Sequence, residues 1–144
     1  MSVVCKFLCT GDLHVNKFRQ FAYTRKDGMN SRLWQCLRVF KILEREAVKR
    51  EINKILLNGD IFDDADEIDT EVYGEVYRHL ERIHSLGIRT AINLGNHDIS
   101  LQSGERLVHS LQAFRKVAQV ITKPARIWNA VAVVPWQPTV STTV

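Results

Sequence analysis

The sequence predicts an α/β domain, a βαβαβ-type largely parallel sheet with flanking helices, and three observations carry that expectation. Three apolar runs, Phe7-Leu8-Cys9-Thr10, Leu56-Leu57-Asn58 and Ala91-Ile92-Asn93-Leu94, each stop at a glycine, as short buried strands do at a sharp turn. Two amphipathic segments with helical spacing lie between them. Strands alternating with helices at this spacing imply right-handed crossovers and parallel pairing.

Each element has its own warrant. Val3 to Cys9 is the first strand, apolar apart from Lys6. Val15 to Asn30 reads as a long irregular loop carrying Lys17, Arg19, Arg25 and Lys26 among Phe18, Phe21 and Tyr23. Phe18 and Phe21 are expected either to stack bases beside those charges or to tuck into the core and pin the loop. From Ser31 to about Arg50 a helix aligns Leu33, Leu37, Phe40 and Ala47 on one face, with Asn30 or Ser31 as its cap. Lys54 to Asn58 follows as the second strand. Asp69 or Thr70 caps a second helix that turns Val72, Val76, Leu80 and Ile83 inward and stops at Gly87. Ile88 to Leu94 is the third strand. A third helix is expected from about Glu105 to Val117, burying Leu107, Leu111 and Phe114. Gln119 to Thr122 and Asn129 to Val134 read as short strands joined by a turn at Lys123-Pro124, and a polar tail runs from Thr139 to Val144.

At 144 residues and 45% hydrophobic content the chain is expected to be one globular domain. It has no apolar run near the roughly 20 residues of a membrane span, and no signal-peptide pattern at Met1-Ser2-Val3-Val4, so a cytoplasmic location with no membrane contact is expected. Cys5, Cys9 and Cys36 form no CxxC and are not read as metal ligands, and Cys5 and Cys9, sharing one face of the first strand with Phe7, are read as buried thiols. The net charge of +4 hides an asymmetry, because eight of the 16 acids lie between Asp60 and Glu75 with no base among them. The remainder has 20 bases against eight acids, which suits either a polyanionic partner or helix faces that are simply solvated.

The chemistry sits at the strand ends, where open α/β sheets place their sites. Asp12 and His14 are two apart, so in an extended segment both face the same side. A carboxylate beside an imidazole suits manganese, iron or zinc. Asp60 has lone pairs enough to bridge two cations, and Asn96 offers the second a neutral oxygen. Two divalent ions roughly 3.5–4 Å apart clamp a phosphate and make hydroxide from water near neutral pH. His97 is then the general acid or a transition-state donor, Asp98 is expected to hold its tautomer, and Asp63 to orient a ligand or cap the loop. His79, His84 and His109 sit on predicted helices and are read as surface or packing residues.

Gly11-Asp12-Leu13-His14, Gly59-Asp60-Ile61-Phe62-Asp63 and Gly95-Asn96-His97-Asp98 resemble the first three signature blocks of the calcineurin-like metallophosphoesterases, D-x-H, G-D-x-x-D and G-N-H-D/E. The long basic loop and the Ala132-Val133-Val134-Pro135-Trp136 ending are similar to the SbcD-type repair nucleases, including bacteriophage recombination nuclease subunits. The resemblance implies an αββα sandwich of which this sequence supplies the front half. It implies Asp12 and His14 on one manganese ion, Asp60 bridging, Asn96 on a second, and His97 as the catalytic histidine. It also implies DNA phosphodiester cleavage in a bacterial or phage-infected cell, and an SbcC-type coiled-coil ATPase as partner. Helices near the third block pair subunits in that family, so Leu107, Leu111 and Phe114 are divided between core and a homodimer contact, with core favoured. The later G-H-x-H histidines follow the Pro-Trp element in the family pattern and are absent from this sequence. The expectation is therefore a truncated domain of doubtful activity in isolation. A phosphomonoesterase, a cyclic-nucleotide phosphodiesterase and a non-catalytic fragment that binds DNA or the ATPase are the rival readings.

Overall fold

The structure, a computed structural model, describes residues 5–100 and 107–137. Val3 and Val4 of the predicted first strand, Glu105 and Arg106 of the predicted third helix, and the polar tail lie outside them. The centre is a four-stranded parallel sheet in the order β1-β2-β3-β6, formed by Leu8–Thr10, Lys54–Asn58, Arg89–Asn93 and Gln119–Ile121. Pairing Leu8 with Ile55, and Leu57 with Ile92 and Val120, aligns the apolar residues on one face. Against that face pack α1 (Ser31–Lys49) and α2 (Thr70–Ser85).

Both helices start where their caps dictate. Asn30 Oδ1 accepts from the amides of Arg32 and Leu33 at 2.9 and 3.0 Å, and Asp69 Oδ1 from those of Glu71 and Val72 at 2.8 and 3.4 Å. Leu33, Leu37, Phe40, Leu43 and Ala47 of α1 meet Val72, Val76, Leu80 and Ile83 of α2 in one core with Ile55, Leu57 and Ile92. At about 1.5–3 kcal/mol for each fully buried large aliphatic or aromatic side chain, this layer dominates the fold's stability.

The opposite face of the sheet is covered by the chain itself. Ala125–Ile127 (β7) and Val131–Val133 (β8) form an antiparallel hairpin whose Ile127 and Val133 cover Leu56, Ala91 and Ile121. The segment predicted as turn and coil after Lys123-Pro124 thus contains a strand. Its alternation, Ala125 in, Arg126 out, Ile127 in, spans only three residues, too few for periodicity to register.

Three further expectations are corrected. The third helix does not form: Val108–His109 (β5) pairs antiparallel with Ile99–Ser100 (β4), and a 3-10 helix over Gln112–Lys116 follows. Its apolar period is satisfied by Leu111 and Phe114, both fully buried in the core, whereas Leu107 stands exposed. The thiols of the first strand are not buried either: Cys9 is exposed on the edge strand Leu8–Thr10, and Cys5 is half-buried, as is Cys36. Phe21 does not pin its loop, being 85% exposed, with Tyr23 exposed beside it. Among the described residues no helix is long and apolar enough to cross a membrane.

Candidate metal centre

The three glycine-terminated strand ends lock together backbone to backbone. A Cβ on Gly11 would stand 2.8 Å from the carbonyl oxygen of Asn58, and one on Gly59 would stand 2.9 Å from the Cα of Gly95. Gly59 also has φ +83°, a conformation that side chains disfavour. A Cβ on Gly95 would collide with both the carboxylate and the amide nitrogen of Asp60. The glycines are therefore what lets Asp60 lie in the cleft between the turns.

Main-chain hydrogen bonds then fix the register. The amides of Asp12, His14 and Val15 donate to the carbonyls of Gly59, Asp60 and Ile61 at 3.1, 2.9 and 2.9 Å, so the first loop is zipped along the second. Asp12, His14 and Asp60 all take left-handed backbone conformations, with φ of 52°, 42° and 51°. Such positions are costly for non-glycine residues and cluster where a site over-determines them. The expectation that Asp12 and His14 share a side because the segment is extended is thus corrected: two left-handed residues bring them together.

One ligand atom from each of Asp12, His14 and Asp60 lies within 4.8 Å of the others. Two carboxylates and an imidazole at that separation fit one divalent cation, and the donor set is that of manganese, iron or zinc sites. Asn96 opens the short 3-10 helix Asn96–Asp98 as an exposed residue. That helix is tethered to the same cluster, because the His97 amide donates to Asp60 Oδ1 at 2.9 Å.

The histidines converge on Asp63. His97 Nδ1 lies 2.6 Å from the Asp63 carbonyl oxygen, and His14 Nδ1 lies 3.4 Å from its carboxylate. The two imidazoles meet edge to face with centroids 4.7 Å apart. Asn16, which pattern reading passed over, donates from Nδ2 to Asp63 Oδ2 at 3.1 Å. Its signal in the sequence was only an amide two residues after His14.

Asp98 occupies a different place from the one expected. Its fully buried carboxylate accepts from the amides of Asp60, Ile61 and Gly95 at 2.9, 3.0 and 2.9 Å, tying the second turn to the third. Burial pushes its carboxyl up from the ordinary value while the three amides pull the other way. Both oxygens only accept, the pattern of an ionised carboxylate. The tautomer of His97 is set by the Asp63 carbonyl instead.

The loop bases divide. Lys17 reaches Asp69 at 2.9 Å and also Glu71, at the start of α2, and those two acids hold its ammonium above the ordinary value. Arg25 pairs with Asp27 at 3.2 Å and lies over the Trp34 ring at 4.2 Å. Arg19 and Lys26 are exposed. The Pro-Trp element folds onto the third strand end, with the Trp136 amide donating to the Leu94 carbonyl at 2.9 Å and Asn93 Nδ2 donating to Asn58 Oδ1 and the Val134 carbonyl.

Fold and site together define a metal-dependent phosphoesterase. The family model for calcineurin-like phosphoesterases matches residues 5–141, and the chain belongs to that family. Among curated proteins none matches it.

Proposed function

We propose that the chain acts on DNA as a metal-dependent phosphodiesterase, the nuclease subunit of an SbcCD-like repair or recombination complex. The observation that supports this most is the convergence of Asp12, His14 and Asp60 with His97 clipped to the same carboxylate. The excess of basic residues outside the acidic stretch favours a polyanion, and Arg19 and Lys26 stand exposed on the loop with Phe21 and Tyr23.

In this reading Asp12, His14, Asp60 and Asn96 would hold two divalent cations, with manganese as the metal. Divalent ions held there polarise a phosphoryl oxygen and make a nucleophile from water available near neutral pH. The chain's own residues do the rest. Asp98 and the three glycines hold the turns in register, so Asp60 is fixed before substrate arrives. The Asp63 carbonyl keeps a proton of His97 on Nδ1, because a carbonyl only accepts, so Nε2 passes a proton to the leaving oxygen only from the doubly protonated imidazolium, a form that the same hydrogen bond accommodates. Arg19 and Lys26 attract the phosphate backbone. The partner expected from the resemblance is an SbcC-type coiled-coil ATPase.

The test pairs substrates with a variant. With manganese the protein should degrade DNA and hydrolyse a chromogenic phosphodiester faster than the matching monoester, and His97→Ala should abolish both. A preference for the monoester would favour the phosphomonoesterase reading, and full activity in His97→Ala would remove the role given to that residue.

A further inference from the structure

A second cleft, of about 360 Å³, opens at the other end of the sheet from the metal centre. Its walls come from the end of α2 (His84), the start of β3 (Arg89, Thr90), the stretch from Arg115 to Gln119, and Trp128 of the β7–β8 turn. Arg89 is four strand steps below Asn93, roughly 13 Å at about 3.3 Å per residue, and the metal ligands lie beyond that. The two sites therefore share no residue.

Three features of this cleft point to one kind of ligand. Arg89, Arg115 and Lys116 line it with no carboxylate among the lining residues, and none of the three forms an ion pair among the described residues. On α1 and α2, by contrast, several basic side chains have acids: Arg82 holds Glu44, Arg78 holds Glu75 and Arg50 holds Glu46. The second feature is Thr90, 4% exposed, whose hydroxyl has no hydrogen-bond partner among the described residues. That hydroxyl is a donor left without an acceptor in the wall of the cleft. The third is Trp128, half-buried against Phe7 at 5.6 Å between ring centroids, which gives the cleft a flat apolar side.

We propose that this cleft binds a phosphate group, free or carried on a nucleoside or nucleic-acid strand. Guanidinium forks match phosphate oxygens two at a time, an ammonium adds charge, and the Thr90 hydroxyl supplies a neutral donor. A ring attached to the phosphate rests on Trp128. The volume lies at the lower end of the range for small-ligand sites, enough for a mononucleotide and too small for a folded partner. This assignment stands apart from the chemistry given to the metal centre, since it holds for any reaction catalysed there.

Calorimetric titration of the full chain tests it, with inorganic phosphate, deoxyadenosine monophosphate and a single-stranded oligodeoxynucleotide as probes. Saturable one-site binding is expected in the wild type and in Asp60→Asn, which separates this cleft from the metal centre. The exposed double variant Arg89→Ala/Arg115→Ala should bind at least tenfold more weakly while keeping its fold, and Thr90→Val several-fold more weakly. Equal affinity for phosphate and the mononucleotide assigns the site to the free anion, a gain with the mononucleotide assigns it to a nucleotide, and binding of the oligonucleotide alone assigns it to a strand. No saturable binding of any probe would overturn the proposal. So would binding that the double variant retains in full or that Asp60→Asn abolishes.

Discussion

The Nδ1 atom of His97 lies 2.6 Å from the main-chain carbonyl oxygen of Asp63, five residues beyond the strand end that presents Asp60. A carbonyl oxygen only accepts and survives side-chain substitution at Asp63, so it keeps a proton on Nδ1. Replacement by asparagine keeps a donor for that carbonyl and removes Nε2. His97→Asn should therefore lose activity by about 10²–10⁴-fold, the usual worth of a positioned proton donor, while metal affinity changes by less than threefold. Steady-state kinetics beside a metal titration checks this, and a parallel loss of metal binding would show that His97 serves the metal instead.

Asp98 is expected to matter through the turns and not through the histidine. In Asp98→Asn one of the two oxygens becomes an NH2 facing amide donors, so at least one buried N–H of Asp60, Ile61 or Gly95 loses its acceptor. Urea unfolding should show a loss of about 2 kcal/mol. A change under about 0.5 kcal/mol would mean that the clamp contributes little.

The loop bases give a contrast that charge counting alone does not. Lys17 is engaged by Asp69 and Glu71, whereas Arg19 and Lys26 are exposed. Arg19→Ala/Lys26→Ala should weaken DNA binding and lower the slope of log affinity against log salt by about 2, one for each lost phosphate contact. Lys17→Ala should leave that slope unchanged. Fluorescence anisotropy over a salt series reads both, and a larger effect from Lys17→Ala would reverse the assignment.

What was legible in the sequence was whatever depended on local pattern. The α1 stripe from Leu33 to Ala47 and the α2 stripe from Val72 to Ile83 became helices because their period and caps agreed with their packing. The strand ends at Asn58 and Asn93 were readable because a glycine block follows each. The failures have a shared cause in non-local competition. Leu107, Leu111 and Phe114 keep a helical period, yet β5 pairs with β4, and Ser110 donates its amide to the Asp98 carbonyl at 2.9 Å. Asp98 itself looked like a partner for its neighbour His97, and only the approach of the second turn shows that three amides claim it. The left-handed backbone at Asp12 and His14 leaves only a weak signature in residue type, since aspartate and histidine are enriched there yet most of them lie elsewhere.

A pH dependence of stability follows from His79. Its ring stacks on Phe40 with centroids 5.6 Å apart, and burial, then the nearby Lys41, hold its pKa below the ordinary value. The unfolded chain takes up that proton near pH 6.5 while the folded chain resists it, so stability falls as pH drops below about 6.5 toward the folded value. His109 is shifted the same way, by burial first and Arg115 second. In His79→Gln the loss of urea midpoint between pH 7.5 and 5.5 should be smaller than in the wild type. An equal or larger loss would place the acid sensitivity elsewhere.

Everything assigned to the site rests on three turns bringing Asp12, His14 and Asp60 onto one cation. Manganese titration of the wild type against Asp60→Asn is the direct measurement, because asparagine keeps an oxygen for the His97 amide and removes the charge. Saturable binding in the wild type, at least tenfold weaker in the variant with the fold intact, is the predicted result. Equal affinity in the two proteins, or no saturable binding in either, would contradict it.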